Sequence, residues 1–93
     1  MIGQLASLRC LYLRESQLAS LSPEIGLLSQ LQELVLIDNK LTMLPQELGQ
    51  LAALKKLDLS RNHLTEIPPQ IGQLTSLQDL LLSSNDIRQP RGI

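Results

Sequence analysis

Leu31-Gln32-Glu33-Leu34-Val35-Leu36-Ile37-Asp38-Asn39-Lys40-Leu41 is the stretch from which the rest of the chain can be read. Counting from Leu31, leucines stand at positions one, four, six and eleven, and an asparagine stands at position nine. The same spacing returns downstream as LKKLDLSRNHL from Leu54 and LQDLLLSSNDI from Leu77. Upstream it is LRCLYLRESQL from Leu8, with Ser16 where the others have asparagine. The period is 23 residues, and it extends beyond the leucines. Leu21-Ser22-Pro23-Glu24-Ile25-Gly26 corresponds to Leu44-Pro45-Gln46-Glu47-Leu48-Gly49 and to Ile67-Pro68-Pro69-Gln70-Ile71-Gly72, and the opening Ile2-Gly3-Gln4-Leu5 matches the end of such a half-unit. Residues 1–93 are therefore one array: a partial repeat at 1–7, full repeats at 8–30, 31–53 and 54–76, and a truncated terminal repeat at 77–93.

A fixed period of this length describes a stack of like units. Residues two apart on a strand point to one face, so the pairs Leu11/Leu13, Leu34/Leu36, Leu57/Leu59 and Leu80/Leu82 should all point inward. No unit can bury that face alone, and stacking would make a parallel sheet over one continuous aliphatic core. The chain has no Trp or Phe and a single Tyr, Tyr12, so aromatic anchors cannot substitute for that stack. Asn39, Asn62 and Asn85 fall where each strand must turn. A carboxamide there both donates and accepts, and can satisfy backbone groups of two adjacent units as a ladder. Ser16 occupies the first rung, where a hydroxyl reaches less far, so the ladder should be weakest there. Pro45, Pro68-Pro69 and the recurring glycines Gly26, Gly49 and Gly72 argue against long helices in the second half of each unit. The expected architecture is an α/β solenoid: a short right-handed superhelix with a parallel concave sheet and short helical or 3₁₀ turns on the convex side.

These motifs, L-x-x-L-x-L-x-x-N-x-L followed by a second half of the LPxxIGxL kind, resemble the leucine-rich-repeat superfamily over nearly the whole chain. The 23-residue period resembles the intracellular class found in Ras-suppressor and Scribble-type scaffolds, plant Ras-group repeat proteins and Roco proteins. That resemblance implies a scaffold in small-GTPase signalling. It names no residue that would specify a GTPase.

Composition removes several other functions. With 8 basic and 9 acidic residues the formal net charge is −1, and the charges are scattered, so neither nucleic acid nor an anionic membrane is an expected partner. No apolar run is long enough to span a bilayer. A lone cysteine, Cys10, and the lack of a recognisable signal peptide point to a reducing, cytoplasmic compartment. One His and one Cys cannot build a metal tetrad, and His63 reads as a solvated turn residue. No nucleophile–base set and no glycine-rich phosphate loop is present, so no catalytic, metal or cofactor residue is assigned and the chain does not read as an enzyme.

The outward positions of the strands carry the binding information. Glu33, Lys56 and Asp79 should lie side by side as a lateral ion-pair row. Tyr12, Val35 and Ile37 should form an apolar patch facing solvent, extended by Leu81 and interrupted by Asp58, with Arg14 and Lys56 beside it. Contiguous exposed apolar surface marks interaction sites, and tyrosine is favoured as an interface anchor. The concave residues Tyr12, Arg14, Val35, Ile37, Lys56, Asp58 and Leu81 are therefore expected to bind a protein partner. A second reading is structural: a segment that stacks on further repeats or self-associates. Only Ile2–Ser7 precedes the first strand, so its edge is expected to be open. Pro90, with Arg88 and Arg91, is expected to act as a stop at the other end.

Overall fold

The computed structural model describes residues 7–87. The opening half-unit Ile2–Leu5 and the expected stop around Pro90 lie outside the described residues. Four short strands, β1 (Cys10–Tyr12), β2 (Glu33–Val35), β3 (Lys56–Asp58) and β4 (Asp79–Leu81), form one parallel sheet in sequence order. Their register is that of the repeat: Leu11 pairs with Leu34, Leu34 with Leu57, and Leu57 with Leu80. The ladder continues past the strand ends, where the Leu13, Leu36 and Leu59 amides donate to Val35, Asp58 and Leu81 carbonyls, each at 2.8 Å.

Each strand is three residues long because the chain must turn to close the unit. Glu15, Asp38, Arg61 and Ser84, one per unit at position eight, make that turn with left-handed φ between 52° and 62°. The next residue then drops its side chain under the sheet edge. Asn62 Nδ2 donates to Leu36 O of the preceding unit at 2.9 Å and to Leu59 O of its own at 3.0 Å, and its Oδ1 accepts from the Leu41 amide at 3.1 Å. Asn39 does the same between the first and second units, and Asn85 between the third and fourth. These side-chain hydrogen bonds run from unit to unit along the turns. At the first rung Ser16 Oγ donates only within its own turn, to Arg14 O, and that turn contains a second left-handed residue, Gln17 at 59°. The hydroxyl is too short to bridge two units.

Among the described residues the convex side carries three 3₁₀ turns, Pro23–Leu27, Gln46–Gln50 and Pro69–Gln73. Pro45 and Pro68 stand just before the second and third turns in extended conformation, where their missing N–H and fixed φ cost nothing. Between sheet and turns lies the aliphatic core. Ile25, Leu28, Leu31, Leu34, Leu36, Leu41, Leu48, Leu51, Leu54, Leu57, Leu59 and Leu64 are fully buried. At about 1.5–3 kcal/mol for each fully buried side chain, this set is the main favourable contribution to folding. Of the outer leucines, Leu11, Leu13 and Leu82 pack partly buried against this core, whereas Leu80 is exposed. All three residues of β4 are exposed, whereas Leu11 of β1 is half-buried. β1 and β4 are the two edges of the described sheet.

The repeated glycines have a cause that the sequence reading missed. A Cβ on Gly49 would lie 2.6 Å from the Gln70 carbonyl oxygen, and one on Gly26 would lie 2.8 Å from the Glu47 carbonyl oxygen. Adjacent convex turns approach so closely that a methyl group would strike backbone. Gly72 is exposed and has nothing within 4 Å of the equivalent position among the described residues. Gly49→Ala should accordingly destabilise the protein by about 1–3 kcal/mol through overpacking. Gly72→Ala should be neutral or stabilise by up to about 1 kcal/mol, because it only narrows the unfolded ensemble. Urea unfolding of the two variants distinguishes them, and equal midpoints would refute the close-approach explanation.

Candidate functional site

The concave surface is built from positions three, five and seven of each unit, which alternate with the buried leucines. The register places Cys10, Glu33, Lys56 and Asp79 in one row across the sheet. Tyr12, Val35, Asp58 and Leu81 form the next. Arg14, Ile37, Ser60 and Ser83 follow beyond the strand ends. All the concave residues picked out from the sequence are thus brought to one side of the molecule.

Their exposure departs from expectation. Tyr12 is 58% exposed and Leu81 41%, but Val35 is only 8% exposed and Ile37 is intermediate. Tyr12 and Leu81 lie on the outer strands, with one neighbour each. Val35 lies on an inner strand, and at about 4.8 Å strand spacing it is covered from both sides. The continuous patch Tyr12–Val35–Ile37 becomes two exposed apolar ends joined by a recessed middle. Asp58, also 8% exposed, lies in that middle, and its Oδ1 accepts a 3.1 Å hydrogen bond from the Ser60 amide.

The lateral ion-pair row does not form. Glu33, Lys56 and Asp79 are in register, yet none of them is in an ion pair within 4.0 Å among the described residues. Glu33 instead accepts a hydrogen bond from the Tyr12 hydroxyl. That bond is the main cause, ahead of desolvation and the Glu33 charge, pushing the Tyr12 phenol from 10.0 up to about 12. The ion pairing occurs on the turn rim. Arg61 Nε lies 3.9 Å from Asp38 Oδ2, an exposed pair of little energetic weight, and His63 Nδ1 lies 3.9 Å from Asp86 Oδ2. Cys10 is a free, exposed thiol at the edge strand.

Sequence reasoning also missed an open hollow of about 450 Å³ on that rim, lined by Glu15, Gln17, Asp38, Asn39, Lys40, Arg61 and His63. Its charges are mixed, and it contains no nucleophile held by a base. Among the described residues no group of three or more His, Cys, Asp or Glu side chains could hold a metal ion, and no helix is long and apolar enough to cross a membrane.

Comparison with known proteins matches this geometry. A family model for a leucine-rich repeat region matches residues 1–93. No curated protein gives a significant match. Among solved structures, a leucine-rich-repeat protein of Leptospira interrogans is 50% identical with a TM-score of 0.88, over 90% of this chain and 21% of that one. A chain of the Toll–Spatzle complex of Drosophila is 37% identical with a TM-score of 0.77, over 84% of this chain and 11% of the matched chain. The chain thus corresponds to about a fifth and about a tenth of the two matched proteins.

The single tyrosine makes the concave geometry directly measurable, because no Trp interferes with its absorbance. Alkaline titration of the folded protein should show the phenol ionising near 12, and Glu33→Gln should move the midpoint down toward 10.0. The neutral phenol is favoured by the folded state, so its stabilising contribution is full below pH 10.0 and disappears as pH rises through about 12. An unshifted midpoint in the folded protein would contradict the Tyr12–Glu33 contact.

Proposed function

This chain belongs to the leucine-rich-repeat family, a class of non-catalytic protein-binding scaffolds, and on that premise we propose that it binds a protein partner on its concave sheet. The observation that carries the proposal is the pairing of two exposed apolar side chains, Tyr12 and Leu81, at opposite ends of one row. Large apolar groups held in solvent on a rigid sheet cost free energy until something covers them, and a tyrosine with a polar tip suits an interface that is only partly dry. Arg14, Ile37, Lys56, Asp58 and the recessed Val35 complete the surface. The second matched chain comes from a complex, that of Toll and Spatzle, which is consistent with this mode of use.

The finer reading follows the 23-residue period. Its resemblance to the Ras-suppressor and Scribble class supports a cytoplasmic scaffold acting in small-GTPase signal transduction, an assignment by analogy of repeat type. The alternative, a segment that stacks on further repeats or on copies of itself, is favoured by one observation: the exposed residues of the fourth strand, an edge of the described sheet. Unpaired strand edges invite association.

Affinity purification from the native cell, followed by binding measurements with the recovered protein, tests the proposal. Tyr12→Ala and Leu81→Ser should each weaken binding about tenfold, as buried interface anchors do, with circular dichroism and sedimentation unchanged. Gln46→Ala and Gln70→Ala on the convex side should leave it unchanged. Binding that follows the convex variants, or a change in oligomeric state in place of partner loss, would favour the alternative.

A further inference from the structure

Asp58 is the one charged residue in a row whose other members are Tyr12, Val35 and Leu81. The row does not require a carboxylate for its fold, since three units use apolar side chains at this position. It is nevertheless 92% buried, being 8% exposed, at the centre of the concave face. A carboxylate has about four acceptor sites, and an internal donor occupies one of them, the Ser60 amide at 3.1 Å. No cation lies within 4.0 Å of it among the described residues. Lys56, two residues back on the same strand, does not reach it, and Arg61 pairs with Asp38 on the rim. Burying a carboxylate without a counter-charge costs free energy, so the site is poised to gain from one.

We infer that Asp58 is the specificity point of the concave surface and receives a basic side chain, an arginine by geometry, from the bound polypeptide. The inference rests on the concave-face reading and adds the chemistry of the partner. The register places Val35 on one side of Asp58 and Leu81 on the other. These apolar flanks suit the flat guanidinium and the methylene stem below it, and they exclude water from the pair. Once the partner covers the recess the local dielectric falls and the charge-assisted hydrogen bonds strengthen. Tyr12 and Leu81 then receive apolar groups on either side of the basic residue. Electrostatic selectivity at the centre with apolar contact at both ends is how a surface of near-neutral charge can discriminate among partners.

Random peptides displayed on phage and panned against the full chain provide the probe. The selected peptides are synthesised as found and with the recurrent basic residue neutralised, arginine by citrulline, which keeps the shape and removes the charge, and lysine by norleucine. Binding is measured to the wild type, to Asp58→Asn and to Tyr12→Ala. Asp58→Asn keeps an oxygen for the Ser60 amide, so amide NMR spectra should show an unchanged fold. Arginine or lysine should recur in the selected peptides. That neutralisation and Asp58→Asn should each lower affinity by about tenfold or more, and together no further, the coupling expected of a direct charge pair. Peptides without a basic residue, or peptides lost on Tyr12→Ala but indifferent to Asp58→Asn, would overturn the Asp58 inference and leave the concave site intact. Peptides indifferent to both variants, or a selection that yields no binder, would count against the concave site itself.

Discussion

The Asn62 side-chain nitrogen donates across a unit boundary, to Leu36 O at 2.9 Å on one side and Leu59 O at 3.0 Å on the other. Both carbonyls sit at points where the chain has left the sheet and no backbone amide is in place to serve them. A buried carbonyl without a partner costs free energy of the same order as a lost hydrogen bond, and each of these two accepts from the asparagines of two adjacent units, Leu36 O from Asn39 and Asn62 and Leu59 O from Asn62 and Asn85. Because the amide bridges two units, closing the turn of one unit also fixes its distance from the one before. The 23-residue register, the sheet pairing and the close approach of the convex turns at Gly26 and Gly49 all follow from that spacing.

The same spacing shapes the binding surface. Fully buried leucines hold β2 and β3 from beneath, and neighbouring strands cover the outward side chains of these two strands from the flanks. Charge or apolar surface in the middle of the face is thereby recessed, and side chains on β1 and β4 stand proud. A partner meets Tyr12 and Leu81 first and the floor of the face, with Val35 and Asp58, only on closer approach. The sheet keeps the backbone under these groups at fixed separations, so that binding has mainly their side chains to order.

What the sequence reveals and what it hides divide along physical lines. The leucine pairs, the asparagine rungs and the weak rung at Ser16 are legible because each depends on spacing within a unit or on one repeat distance. The exposure of Val35 is not legible, because it depends on how much side chain the two flanking strands contribute. The row Glu33–Lys56–Asp79 looks like alternating charge, but the Tyr12 hydroxyl takes the Glu33 carboxylate, a contact that crosses from one row to the next. Gly26 and Gly49 read as helix breakers, and only the stacked structure shows carbonyl oxygens where their side chains would go. Arg61 carries no sign of its left-handed backbone, since neither Gly nor Asn marks the position.

The account depends on asparagine coupling adjacent units, and equilibrium unfolding of Asn62→Ala beside its neighbour His63→Ala tests this most directly. Asn62 is buried and serves two units, whereas His63 is exposed and contributes only a distant contact to Asp86. Asn62→Ala should lose about 1–3 kcal/mol, from the buried Leu41 amide left unpaired and two carbonyl hydrogen bonds removed, and His63→Ala less than about 0.5 kcal/mol. Equal effects of the two substitutions would contradict it.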